Sequence, residues 1–299
     1  YKEVQIIHEE RRQRIDSTPT GPADEAQRAA FWGDHPYGWN PMGRAGDLDQ
    51  LSRQDAIDFL ARHYRPEKMT VALVGGFDPE TVRTWAQRYL GRLPSSSTPA
   101  IESPPRPVPQ RSAELRLEFT CDCPPQAKVY YPTAKFGEPD ADALQLLAAV
   151  LNGRTGRLYR SLVLDRQIAF SAFAQQISWR QAGEFSFRAE SKGGIEPEEL
   201  VRAWDQQLEL LPNRPPTLKE LERARNRSAA DAFRSIKDPT ALMKQLLIYQ
   251  GLGDWRYLNR WSERMQQIGP EELVRVATRY LHPDGRTVAI YRRPEVSQP

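Results

Sequence analysis

The 299-residue sequence has few cysteines, few histidines and no long apolar run. Its longest apolar runs, such as residues 146–151, are far shorter than the ~20 residues that cross a bilayer as a helix. The sequence therefore predicts no transmembrane segment. Its 42 Lys and Arg nearly balance its 39 Asp and Glu. No basic block alternates with aromatic residues, so we expect no nucleic-acid partner.

The two cysteines, Cys121 and Cys123, are separated by a single residue. One C-x-C cannot supply the four ligands of a structural zinc site. On a strand the two side chains would point to the same face, and a disulfide over so short a separation would be strained. We therefore expect two reduced or inert thiols, which leave the redox compartment undetermined.

Proline, by contrast, is concentrated in one segment. Six of the 25 prolines fall within residues 94–112, together with three consecutive serines. Such a segment disfavours helices and central strands and tends toward extended polyproline geometry. We predict a linker at 94–112 between one domain at 1–93 and a second at 113–296.

An internal repeat spans this linker. The string AIDFLARHYRPEKMTVAL begins at Ala56, and ELVRVATRYLHPDGRTVAI begins at Glu272. Each reads as an amphipathic helix, a proline-containing turn and a strand that opens Thr-Val-Ala, which indicates two domains of similar fold. Tyr280 lies 167 residues after position 113, whereas the matching Tyr64 lies only 64 residues from the start. We therefore expect the first domain to be incomplete, lacking roughly 100 residues.

Hydrophobic periodicity predicts grouped helices and strands, which is typical of an α+β fold with antiparallel sheets packed against helices. Strands are predicted at residues 69–75, 114–120, 127–131, 169–177, 184–190 and 286–292. Helices are predicted at residues 2–15, 22–32, 53–64, 78–91, 140–151, 156–165, 197–211, 217–235, 239–250 and 270–280.

The first predicted helix contains the string EVQIIHEERRQRID. Glu3 and Glu10 are seven residues apart, close to two helical turns, so they share a face. Two carboxylates on one face could bind a cation or hold a proton. The same pattern also fits a solvated charged helix with Val4, Ile7 and Ile15 facing the core. Spacing alone favours the second interpretation, because helices rich in Glu and Arg are common.

The string resembles the conserved helix of the insulinase/pitrilysin-like zinc peptidases, roughly E-x-x-V-V-x-E-E-x-x-x-x-x-D. The segment HPYG at His35 and the segment VGGFDP at Val74 are similar to further segments of that family. The segment GRTGRLYRSL at Gly153 resembles the family's G-x-S-S-R-L-Y-x-x-L. These segments run from Glu3 to about Pro294, so the resemblance covers nearly the whole chain.

The resemblance implies a zinc metalloendopeptidase. In the family, zinc is held by H-x-x-E-H on an earlier helix and by a later Glu, which falls on Glu10; a second Glu that supports catalysis falls on Glu3. No H-x-x-E-H occurs in this sequence, and we expect His8 and His35 not to be metal ligands. The resemblance therefore implies a fragment without bound zinc or peptidase activity, taken from a parent that holds zinc.

The resemblance also implies a partner. Family members often carry an Arg and a Tyr, seven residues apart, that contact substrate, and these positions fall on Val163 and Phe170. In two-subunit members the zinc-bearing subunit often lacks that pair and its partner supplies it. The chain would then act on peptides as a homo- or heterodimer with a related subunit, in the periplasm or cell envelope of a bacterium.

The alternative is a non-catalytic homologue that holds substrate; retention of Glu3 and Glu10 argues against it.

We expect limited proteolysis of the native chain to cut within residues 93–112 before it cuts within 113–296. The proline-rich segment offers extended backbone to a protease, whereas 113–296 contains a full set of predicted helices and strands. Mass spectrometry of the first fragments tests the boundary. Earlier cleavage inside 113–296 would contradict it.

Overall fold

The computed structural model describes residues 2–94, 108 and 111–294. The strands are β1 Leu115–Thr120, β2 Gln126–Thr133, β3 Ala169–Ser178, β4 Gly183–Ser191 and β5 Thr287–Arg292. The helices are α1 Lys2–Arg11, α2 Gly21–Trp32, α3 Ala45–Leu48, α4 Arg53–His63, α5 Pro79–Tyr89, α6 Pro139–Leu151, α7 Pro197–Leu210, α8 Leu218–Ile236, α9 Pro239–Leu252, α10 Trp261–Gln267 and α11 Pro270–Tyr280. Within the described ranges, no helix combines the length and apolarity needed to span a bilayer.

The five strands form one mixed sheet in the order β1-β5-β2-β4-β3. The β2–β4, β2–β5 and β3–β4 pairs are antiparallel, as expected. The β1–β5 pair is parallel, which the sequence did not predict. Parallel neighbours need a long crossover, and here all the chain between Thr120 and Thr287 provides it. The α+β class is confirmed.

One face of the sheet carries the main core, where helices α6, α7, α8 and α11 pack. Phe185 and Phe187 are alternate residues of β4 that both point toward the helices, and both are fully buried. Trp204 of α7 stacks on Phe187 with ring centroids 4.7 Å apart. Its indole N–H donates to the Tyr131 hydroxyl at 2.8 Å. Burial of each such side chain stabilises the fold by about 1.5–3 kcal/mol.

The predicted strand at 69–75 is not part of any sheet. Its backbone is irregular, and the side chains of Met69, Val71 and Leu73 are 51%, 55% and 52% exposed. In the second copy of the repeat, Thr287 begins β5, which lies between β1 and β2. Within residues 2–94 the structure contains no strand that could pair with 69–75. A strand needs a hydrogen-bonding neighbour, so the same local pattern gives a strand in only one copy.

The segment 51–93 carries many exposed apolar side chains. They include Phe59 and Leu60 on α4 and Trp85 and Tyr89 on α5, each at least half exposed. Patches of this kind mark surfaces that contact other proteins, membranes or ligands. Residues 95–107 and 109–110 of the predicted linker lie outside the described part.

The two cysteines form a disulfide, so the prediction of free thiols was wrong. Strand β1 ends at Thr120, and the chain turns at once, with the Cys123 N–H donating to the Cys121 carbonyl at 2.8 Å. This turn brings the two Cα atoms to 5.3 Å, whereas residues i and i+2 of a strand are about 6.6 Å apart. The error was to treat Cys121 and Cys123 as strand residues, although β1 ends at Thr120.

The segment GRTGRLYRSL has a structural role in the part of the chain after residue 113. The Arg157 guanidinium donates to both oxygens of Glu220, at 2.9 and 3.0 Å, and to the carbonyl of Arg214. Glu220 in turn closes the capping box that starts α8 at Thr217. Gly153 has φ +86°, and a Cβ there would collide with the guanidinium of Arg227. These contacts join the end of α6 to the start of α8.

We expect Glu220→Gln to lower the free energy of unfolding by about 1.5–3 kcal/mol at neutral pH, because it weakens the bonds to Arg157 and Thr217. The hydrogen bond from Arg157 is the main reason that the pKa of Glu220 falls to about 2. A depressed pKa stabilises the fold above the unfolded pKa, and this contribution is lost as pH falls from about 4.5 toward about 2. Urea unfolding at several pH values measures the difference between the variant and the wild type.

Glu222→Gln is the matched control, because Glu222 is exposed on the same helix. It should change stability by less than about 0.5 kcal/mol. Equal losses in the two variants, or a Glu220 effect that persists unchanged at acid pH, would contradict the assigned role.

Candidate functional site

The two carboxylates singled out by sequence both lie on α1. Glu3 is exposed in its first turn, and Glu10 is half-buried near its end. Seven residues of unbroken helix separate them by about 10 Å along the axis. Zinc binds carboxylate oxygens at about 2.0–2.2 Å. The two side chains therefore cannot ligate one ion together, and any role of Glu3 must differ from that of Glu10.

The rotation of α1 is fixed by Arg11, which is 7% exposed. Its guanidinium donates to both carboxylate oxygens of Glu25 on α2 and to the carbonyl of Gly43 at 2.7 Å. The hydrogen bond from Arg11 to Glu25 is the main reason that the pKa of Arg11 is raised. Because Arg11 points inward, the preceding Glu10 projects about 100° around the helix from it.

Glu9 and Glu10 have different partners. An oxygen of Glu10 lies 2.8 Å from a guanidinium nitrogen of Arg14 one turn later, in a partly exposed ion pair. Glu9 is exposed and accepts from Arg12 and Gln13; the bond from Arg12 is the largest cause of its lowered pKa. A single exposed ion pair contributes little free energy, so the Glu10 carboxylate can exchange its partner at small cost.

The histidines lie apart in the fold. His8 Nε2 lies 3.0 Å from an oxygen of Asp49. His35 is buried, and its Nδ1 accepts the Tyr37 N–H at the start of the turn Pro36–Gly38. His63 stacks beside Phe59 on α4, and His282 is exposed after α11.

These residues do not make a zinc site by themselves. In the described part of the chain, no three His, Cys, Asp or Glu side chains are grouped so that they could hold a metal ion. A catalytic zinc takes three protein ligands and keeps one open position. Glu10 with Arg14 as its partner does not meet this requirement.

The positions that the family uses for substrate contact carry other side chains here. Val163 is partly buried and packs against the main core. Phe170 is 72% exposed next to the bulge at the start of β3. Neither can donate the hydrogen bonds of an Arg or a Tyr.

Sequence reasoning missed the second face of the sheet, which α2 covers. Lys128 on β2 is 5% exposed, and its ammonium lies 2.5 Å from an oxygen of Asp24 on α2. Asp24 also accepts from the hydroxyls of Tyr291 and Thr20. Burial raises the pKa of Asp24, but the charge and the hydrogen bond of Lys128 outweigh it, so the pKa is lowered. Lys128 inside the apolar run AKVYY was the sequence signal for this ion pair.

Beside this ion pair, α2 and the sheet enclose a cleft of about 190 Å³. Its most buried charged residue is Glu184 on β4, which is 4% exposed. Burial raises the pKa of Glu184, and the charges of Arg28 and Arg188 oppose that shift. The lining residues are Asp24, Gln27, Arg28, Phe31, Tyr130, Glu184 and Arg188. We call them the α2 cleft.

Residues 50–228 match the family model described as the peptidase M16 inactive domain. Over 302 residues the chain is 23% identical to the zinc protease PqqE of Helicobacter pylori. The aligned region covers 98% of this chain and 66% of that protein. Over 256 residues it is 21% identical to a probable mitochondrial-processing peptidase subunit beta of Schizosaccharomyces pombe, covering 82% of this chain and 55% of that one. The chain thus spans about two thirds of the first relative and about half of the second.

Solved structures share the fold. A crystal structure of a protease from Helicobacter pylori matches with a TM-score of 0.89 at 23% identity, covering 97% of this chain and 71% of that one. The periplasmic protease PqqL from Escherichia coli matches with a TM-score of 0.77 at 15% identity, covering 98% of this chain and 34% of that one.

We expect Asp24→Asn to lower the free energy of unfolding by about 3 kcal/mol, because it leaves the buried Lys128 ammonium without its counter-charge. The matched variant Lys128→Met in the Asp24→Asn background should recover most of this loss, since the uncompensated charge is then gone. Thermal unfolding of both single variants and the double variant gives the coupling. Strictly additive losses would mean that the pair does not hold α2 on the sheet.

Proposed function

Because the chain belongs to the peptidase M16 inactive-domain family, we propose that it is part of a zinc-dependent endopeptidase that hydrolyses peptides or unfolded proteins. In the described part of the chain, no three metal-ligating side chains are grouped, so the other zinc ligands would come from elsewhere in the intact protein. Relatives named as zinc proteases support this assignment, as does the α+β fold shared with a bacterial protease.

The observation that carries the proposal is the placement of Glu10. Its carboxylate is held on a helix whose rotation Arg11 fixes, and its only ion pair within 4.0 Å in the described part is with Arg14. In the intact protein, Glu10 would be one zinc ligand, and histidines from polypeptide outside this chain would be the others. Glu3, about 10 Å away along the axis, would act on the site without touching the ion.

The exposed apolar side chains of 51–93 support completion by further polypeptide. Phe59, Trp85 and Val71 are each more than half exposed, and residues 69–75 have no strand to pair with in the described part. A neighbouring strand with an apolar face would satisfy both needs at once. We propose that the first domain is completed in this way in the intact protein.

We further propose that the intact protein works as a dimer with a related subunit, in the periplasm or cell envelope. The S. pombe relative is named as a subunit, and the E. coli neighbour is named as periplasmic. Val163 and Phe170, which stand where family members often have Arg and Tyr, are consistent with a partner that supplies the substrate-contacting pair.

The second candidate function is a non-catalytic subunit that holds substrate. The family model that matches residues 50–228 is described as an inactive domain, which favours this second function. The two functions differ in one property, which is whether Glu10 ligates zinc in the intact protein.

In the intact protein, Glu10→Gln should lose zinc and activity together, because a neutral amide is a far poorer zinc ligand than a carboxylate. Glu3→Gln should keep zinc and lower turnover about 10–100-fold. Glu9→Gln is the control, since Glu9 points about 100° away and should be nearly silent. Metal content and peptide turnover are measured for all three variants.

If Glu9→Gln loses zinc and Glu10→Gln keeps it, the zinc ligand is Glu9 and not Glu10. If both Glu9→Gln and Glu10→Gln keep full zinc content and activity, α1 is not part of the metal site. An intact wild-type protein that neither binds zinc nor cleaves peptides would favour the substrate-holding subunit.

A further inference from the structure

The lining of the α2 cleft carries two positive and two negative side chains, and the adjacent Lys128 adds a third positive charge. Asp24 is already engaged by Lys128 and Tyr291. Glu184 alone remains to balance the guanidinium groups of Arg28 and Arg188. The sheet register adds to this excess, because Lys128 on β2 lies directly opposite Arg188 on β4. The five side chains together carry one net positive charge when Glu184 is ionised.

Neither Arg28 nor Arg188 uses all of its N–H donors in contacts with the rest of the described protein. Among the ion pairs within 4.0 Å in the described part of the chain, none includes Arg28 or Arg188. Arg28 donates only a long bond, 3.5 Å, to the carbonyl of Tyr37. The Arg188 guanidinium lies 5.7 Å from the centroid of the Tyr130 ring. Both side chains are exposed and therefore free to meet a ligand.

The numbers of donors and acceptors in the cleft also indicate that the arginines have unused N–H groups. Each guanidinium has five N–H donors, whereas one carboxylate accepts about four hydrogen bonds. Glu184 therefore cannot use all the donors of both arginines. On the same face of β4, the Ser186 hydroxyl is buried and has no hydrogen-bond partner in the described part of the protein. Buried polar groups are rarely left in this state.

We propose that the α2 cleft binds a carboxylate group of a peptide between Arg28 and Arg188. The planar guanidinium fork matches a carboxylate with two parallel hydrogen bonds. The rings of Phe31 and Tyr130 form apolar walls that suit the methylene groups of an acidic side chain or of a chain end. Buried Glu184 limits the charge of the ligand, because it repels a dianion more strongly than a monoanion.

The volume of the cleft agrees with this ligand class. At about 190 Å³ it has room for one acidic residue or one chain end. Sites for drug-sized molecules usually measure about 300–1,000 Å³. The proposal does not depend on zinc or on peptidase activity, because every group that it uses lies in this chain.

The test is fluorescence anisotropy with the 299-residue chain and labelled short peptides. One peptide contains Glu, Gly and Ala and has an amidated C-terminus; a second replaces each Glu with Gln. A third contains Gln, Gly and Ala with a free C-terminal carboxylate. Arg28→Gln and Arg188→Gln are the cleft variants, and Arg202→Gln, an exposed arginine on α7 of the helical side, is the matched control.

We expect at least one carboxylate-bearing peptide to bind and the amidated Gln peptide to bind at least 10-fold more weakly. Binding of the first peptide assigns a side-chain carboxylate, and binding of the third assigns a chain end. Each cleft variant should weaken binding about 10-fold or more, as loss of a charge-assisted bond predicts. Arg202→Gln should leave the Kd unchanged.

Three results would overturn the proposal. These are equal binding of the amidated Gln peptide, equal losses in the cleft and Arg202 variants, and no binding of any peptide at millimolar concentration. Because Arg28 and Arg188 lie on different elements and are both exposed, unfolding of one variant would leave the other to give the answer. Circular dichroism of each variant verifies the fold.

Discussion

The buried ion pair of Lys128 and Asp24 joins the two parts of the molecule. Lys128 lies on the central strand β2, whose other face is fully occupied by the helical core. A buried ammonium needs a partner, and Asp24 of α2 supplies it. The ion pair therefore places α2 on the open face of the sheet. Arg11 then ties α1 to α2 through Glu25, so the position of Glu10 follows from a charge in the sheet.

This arrangement places two chemically different regions side by side along the first part of the chain. The α1 helix carries Glu10, whose exposed pairing with Arg14 is weak. The α2 cleft carries two arginines and one buried carboxylate, Glu184. The proposed metal ligand on α1 and the proposed carboxylate site beside α2 would suit a protein that handles peptides. The segment 51–93 differs from both, because many of its apolar side chains are about half exposed.

Most helices and the strands of the second domain could be predicted from the sequence, because their residues repeat at the helical or strand period. Helices α8 and α11 lie within one residue of their predicted ends, where Thr217 and Pro270 mark the starts. The strand predicted at residues 69–75 did not form. A strand also needs a hydrogen-bonded neighbouring strand, which local sequence does not provide. The short helices α3 and α10 were missed, since each is too short to show a clear period.

Local sequence by itself determined the helical register, and so it determined that Glu3 and Glu10 share a face two turns apart. It also determined the capping box at Thr217, which closes with Glu220 three residues later. Only the tertiary structure decided the parallel β1–β5 pair, the Cys121–Cys123 disulfide and the α2 cleft. Arg28 and Glu184 are 156 positions apart in the chain. Residues so distant meet through sheet order and burial, which depend on the whole chain, whereas helical spacing depends only on near neighbours.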